Sequence, residues 1–189
     1  MKVKSVEGMK MSIPMANGTF EIFEIYDAPV MAPKLAAKFS NIKSYKGYSV
    51  TDKSKNLRLD VGPYGFHAAI HSNDGVIYID PYARGNKDQY LVYDVADYMS
   101  QIDIGVPVCG AIDDLKNQHF DDIIQTRSVE GEIPLRVYRL AIACTGEWGA
   151  LRGTPENAMA DIVTGVNRLN EIFENEIAGG NEYFLAKSK

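Results

Sequence analysis

The sequence predicts an α+β fold: an antiparallel β-meander lobe followed by a β-α-β unit with one long amphipathic helix. Three observations carry that prediction. Tyr64–Gly85 sets two runs rich in aromatic and β-branched residues on either side of Ser72-Asn73-Asp74-Gly75. This reads as a β-hairpin, with Asp74-Gly75 suited to positive φ and Pro63 and Pro81 closing its ends. Short runs of strand-forming residues lie before and after it. Near the C-terminus Met159, Ile162, Val163, Val166, Leu169, Ile172, Phe173 and Ile177 recur at three- and four-residue steps, the apolar stripe of a helix.

Taken in order, residues 1–19 mix Lys, Met, Gly and Asn without a sustained period and read as an N-terminal arm, with Asn17-Gly18 as a turn. Residues 20–105 form the β-rich lobe. Its first strand is Thr19–Tyr26, where Phe20 and Ile22 alternate with Glu21 and Glu24 as on a sheet with one wet face. After Ala28-Pro29, Ala32–Phe39 is one or two helical turns opened by Pro33. Ile42–Tyr48, Asn56–Val61, the two hairpin strands and Gln89–Tyr93 then follow as short strands of one meander. From Asp94 to Pro134 the pattern weakens, and residues 106–134 read as a connecting segment with a short helical piece near Leu115–Ile124.

Residues 135–189 carry the β-α-β unit. Leu135–Cys144 is a strand whose second half is continuously apolar, as in a strand covered on both faces. Thr154-Pro155-Glu156 opens the helix with an N-cap, a Pro at the first helical position and an acid at the positive end of the dipole. The helix runs to about Ile177, Gly179-Gly180 stops it, and Glu182–Lys187 is the closing strand.

Composition narrows the function. The chain has 189 residues, 46% of them hydrophobic and 24% charged, enough for one full core. A net charge of −5 and a pI near 5.2 give no electrostatic basis for nucleic-acid binding. Residues 1–15 lack the apolar core of a secretory signal, and no stretch is long enough to span a bilayer. The expectation is cytoplasmic synthesis without membrane insertion. Cys109 and Cys144 read as free thiols rather than a disulfide scaffold.

No nucleotide-binding loop and no G-x-S-x-G elbow is present. His67 and His71 form H-x-x-x-H, but Ala68 stands where a zinc peptidase carries its glutamate. On a strand, residues four apart share a face yet lie roughly 13 Å from each other, too far for one ion. His119 reads as a surface residue beside Asp121, and Asp113-Asp114 as part of a solvated loop. The residues therefore assign no catalytic, cofactor or metal position.

Several unconnected segments share a resemblance. Phe20–Tyr26, Ala28–Pro33 with Leu35–Phe39, Ile42–Tyr45, Leu57–Val61, Gly65–Ala68 and Tyr78–Tyr82 are similar to the propeptide of bacterial reprolysin-like zinc metallopeptidases. Leu135–Glu147 and Val166–Glu174 resemble the first strand and first helix of the metzincin catalytic domain. Pro107–Asp113 resembles a cysteine switch, in which a propeptide thiolate occupies the open position of the catalytic zinc; the resemblance gives Cys109 that role. The family's H-E-x-x-H-x-x-G-x-x-H lies beyond the first β-α-β, and this chain reaches Lys189 without it.

The expectation is accordingly a non-catalytic structural or protein-interaction module without a cofactor. It would be derived from such a pro-protease and would work as a subunit of a homo- or hetero-oligomeric assembly, a viral particle among the candidates. The alternative is the latent N-terminal part of a secreted zinc endopeptidase with Cys109 as inhibitory switch. In the first case the apolar stripe marked by Met159, Val163, Val166 and Phe173 is the interaction surface.

Overall fold

Seven strands, each hydrogen-bonded antiparallel to its sequence neighbour, make up the meander of an α+β protein. The computed structural model describes residues 8–101, 139–177 and 187–188. The strands are β1 (Met9–Pro14), β2 (Phe20–Asp27), β3 (Lys43–Ser49), β4 (Asn56–Gly62), β5 (Gly65–Ser72), β6 (Gly75–Pro81) and β7 (Tyr90–Asp94). Helix α1 (Pro33–Lys38) lies in the β2–β3 connection, and α2 (Val95–Ser100) follows β7.

Period-two alternation builds the sheet. Ile13, Phe23, Ile25, Leu57, Leu59, Ala68, Ile70 and Ile79 face one side and form a single buried core, with Tyr45, Phe66, Tyr90 and Val92 packed on it. One cluster reaching from β1 to β7 means that the sheet curls around it. The hairpin forms where the sequence places it. Ser72 pairs with Gly75 across a two-residue turn, and the positive φ falls on Gly75, at 135°.

Two elements appear where the sequence shows no period. Met9–Pro14 pairs with β2 in register from Met9↔Ile25 to Pro14↔Phe20, so part of the expected arm is a sheet edge. Val95–Ser100 is helical because the Asp94 side chain caps it, accepting from the amides of Ala96 and Asp97.

The C-terminal unit departs further from expectation. Of the strand expected over Leu135–Cys144, only β8 (Arg139–Leu140) forms among the described residues, and it runs parallel to β9 (Lys187–Ser188). Residues 141–144 are exposed rather than covered on both faces. The chain turns away there because Thr145 caps a further helix, α3 (Gly146–Arg152), its hydroxyl accepting from the Trp148 amide. Helix α4 (Pro155–Ile172) starts as the sequence dictates, with the Thr154 hydroxyl accepting from Asn157 N. It continues as a π-helical turn over Phe173–Ile177. The segments 102–138 and 178–186, with the expected helical piece at Leu115–Ile124 and most of the strand at Glu182–Lys187, lie outside the described residues.

A second core joins the two halves. Val30, Met31, Phe39 and Ile42 from the β2–β3 connection meet Ala160, Val163 and Val166 of α4, with Met159, Ile162 and Leu140 at its margin. Among the described residues no helix is long and apolar enough to cross a membrane.

Candidate functional site

The site lies on the other face of the sheet, under α4. Pairing and alternation bring Arg58 and Asp60 of β4, His67 and His71 of β5, Tyr78 and Asp80 of β6 and Tyr93 of β7 to that face. The registers run Asp60↔His67 and Arg58↔Ala69↔Tyr78↔Tyr93. From above, α4 lowers Thr164, Asn167, Arg168 and Glu171, with Glu174 and Asn175 from the π turn. Positions 160, 164, 167, 171 and 174 share one helical face.

The result is a polar seam that is buried at its centre. Glu171, Asn167 and Arg58 are 0%, 1% and 3% exposed, and Asp60 is buried beside them. The Thr164 hydroxyl donates to Asp60 Oδ2 at 2.6 Å, and Asn167 Nδ2 reaches Asp60 Oδ1 at 3.4 Å. His67 Nδ1 lies 3.3 Å from Asp60 Oδ2, and His71 Nδ1 lies 3.0 Å from Glu171 Oε1. Arg58 grips Glu174 with two nitrogens, Nε to Oε2 at 3.2 Å and Nη2 to Oε1, the fork geometry that makes such pairs directional. Asn56 Nδ2 donates to Asn175 Oδ1 at 2.6 Å.

At one end of the seam Arg168 donates to Asp80 Oδ1 at 2.5 Å and lies with its guanidinium carbon 4.2 Å from the Tyr78 ring centre. Tyr93 Oη donates to Asp80 Oδ2 at 2.8 Å. Burial and that bond to Asp80 push the Tyr93 phenol well above its ordinary pKa, so it stays a donor. Beyond it Arg84 and Arg152 both pair with Asp161.

This arrangement holds the helix against the sheet. The Thr164 hydroxyl and Asp60 are both buried under α4. His67 and His71 share a face of β5, as the spacing predicts, but each addresses a different carboxylate. Among the described residues no group of three or more His, Cys, Asp or Glu is placed to hold a metal ion. Cys109 and His119 lie outside the described residues, and Cys144 is an exposed free thiol.

The stripe singled out from the sequence divides. Val163 and Val166 are buried in the second core and Met159 lies at its edge, covered by residues of the same chain. Phe173 is 38% exposed and outside that core. An apolar cavity of about 520 Å³ opens beside the second core, lined by Val30, Met31, Leu35, Leu140, Ile142 and Met159 among others, and among the described residues it offers no polar side chain to orient a reacting group. The polar stripe on the neighbouring face of α4 escapes a reading that follows apolar residues only. Its available signal is the spacing of Thr164, Asn167, Glu171 and Glu174, which equally fits a solvated face.

No protein-family model, no curated protein and no solved structure matches this chain.

Proposed function

We propose that the seven-stranded lobe is a non-catalytic protein-binding module whose ligand is the α4 segment of its own chain. It would work as a pro-region packed on the first helix of a reprolysin-like zinc metallopeptidase. The observation that carries this reading is the buried seam between residues more than a hundred positions apart: Asp60 with Thr164, Arg58 with Glu174, Asn56 with Asn175. Arg58, Asp60, His67 and Asp80 belong to segments similar to the propeptide. Asn167, Arg168, Glu171 and Glu174 belong to the segment similar to the first catalytic-domain helix.

A seam of this kind selects its ligand. A helix lacking those donors and carboxylates would leave Arg58 buried without its carboxylate and Asp60 without its hydroxyl and amide donors, and that cost rejects the wrong helix more strongly than apolar packing can. Cys109 is the inhibitory thiolate in this reading, a soft anion suited to the open position of a catalytic zinc carried by a separate peptidase chain. The test is peptide hydrolysis by a reprolysin-like zinc endopeptidase with the full chain added. Inhibition that Cys109→Ala relieves is expected; hydrolysis unaffected by the added chain overturns the proposal.

A further inference from the structure

The seam leaves the far edge of the sheet unused, and that edge has a pattern of its own. Among the described residues β1 pairs only with β2. Met15 N donates to Thr19 O, and Val50 N to Ile22 O. Hydrogen-bonding direction alternates along a strand, so these two bonds fix it for β1. The amides and carbonyls of Met9, Met11 and Ile13 point to β2, and those of Gly8, Lys10, Ser12 and Pro14 point outward. Pro14, which has no N–H, sits where none is owed to β2.

The side chains alternate in step. Met9, Met11 and Ile13 lie on the core face, but Ile13 is 2% exposed while Met11 and Met9 are 41% and 59% exposed. The core stripe thus runs out onto an edge that no other described strand covers. An extended edge of this kind is a template for another strand.

We propose that β1 is a dimerisation edge and that its occupant is β1 of a second copy, antiparallel about a two-fold axis through Met11. In this register the outward groups meet in pairs, Lys10 with Ser12 of the other copy and Ser12 with Lys10, each pair exchanging two N–H···O=C bonds, whereas an axis through Lys10 would set two ammonium groups face to face. It sets Met11 against Met11 and Met9 against Ile13, so Phe23, Met11, Met11 and Phe23 form one apolar row across the joined sheets. The charges also agree. Lys10 stands beside its own Glu24 and faces an uncharged serine, so no like charges meet. Two seven-stranded meanders become one continuous sheet, and the interface is isologous, as closed dimers require.

The proposal is independent of the role assigned to the α4 seam. Sedimentation equilibrium of the full chain over a concentration series tests it, with a mass rising to twice the 20.9 kDa of one chain expected. Ser12→Pro removes an outward N–H without touching the β2 ladder, and Met11→Lys puts two ammonium groups together on the axis. Each returns the mass to one chain at every concentration. A third variant, Met11→Cys with Cys109 and Cys144 replaced by Ser, keeps the edge and forms an inter-chain disulfide on mild oxidation, whereas Lys10→Cys in the same background does not. A wild-type chain that stays at 20.9 kDa throughout overturns the proposal, as does a dimer that survives both substitutions or a Met11→Cys chain that fails to cross-link.

Discussion

Thr164 shows how much one hydroxyl decides when it is buried against a charge. It donates to Asp60 and also contacts the Ala160 carbonyl, 3.2 Å away. Thr164→Val keeps the shape and removes the donor, so Asp60 loses its shortest partner; a loss of about 2 kcal/mol in denaturant unfolding is expected. Glu21 gives the pH counterpart. Burial pushes its carboxyl up, but the Lys55 ammonium and the hydroxyls of Ser49 and Thr51 outweigh that and hold it below the ordinary carboxylate range. A lowered folded pKa contributes stability above the unfolded value of about 4.3 and loses it as pH falls through the folded value. The stability gap between wild type and Glu21→Gln, measured by denaturation at about pH 6 and about pH 3, should therefore close on the acid side.

At the scale of elements, the strands β2 to β7 were legible because they are short runs of strand-forming residues bounded by turn residues. The hairpin at Ser72-Asn73-Asp74-Gly75, the Pro33 helix start and the Thr154-Pro155 cap all stand where local chemistry puts them. What local chemistry could not reveal was tertiary in origin. Met9–Pro14 becomes a strand because β2 offers it an edge, and the apolar run at Ala141–Cys144 leaves the ladder because Thr145 begins a helix. Gly47 is a case where neighbouring elements set a residue. A Cβ there would stand 2.9 Å from the Glu24 carbonyl oxygen, so β2 and β3 lie this close only because position 47 has no side chain. Gly47→Ala is expected to cost about 1–3 kcal/mol, read as a lowered denaturation midpoint.

Over the whole molecule, α4 is shared by two kinds of contact, an apolar one to the β2–β3 connection and a polar one to the sheet. The apolar half was legible in its three- and four-residue steps. The polar half was not, since Asn167, Glu171 and Glu174 carry no mark that separates a buried seam from a wet surface; only the facing strands make that distinction. Glu174→Gln leaves the Arg58 guanidinium buried without its counter-charge, and a loss of about 3 kcal/mol is expected. Hydrogen exchange locates the effect: faster exchange in α4 with the β2–β5 amides unchanged is the expected result, and uniform acceleration would show that sheet and helix open as one unit.

The order of strands in the meander has a consequence for how the chain is made. Each of β1 to β7 finds its partner in the adjoining stretch of sequence, whereas Thr164 and Glu174 find theirs more than a hundred positions earlier. Short loops close cheaply and distant ends late. A ribosome releasing this polypeptide therefore delivers the strands of the cradle before the helix that will lie in it has emerged, so docking follows the pairing of the sheet.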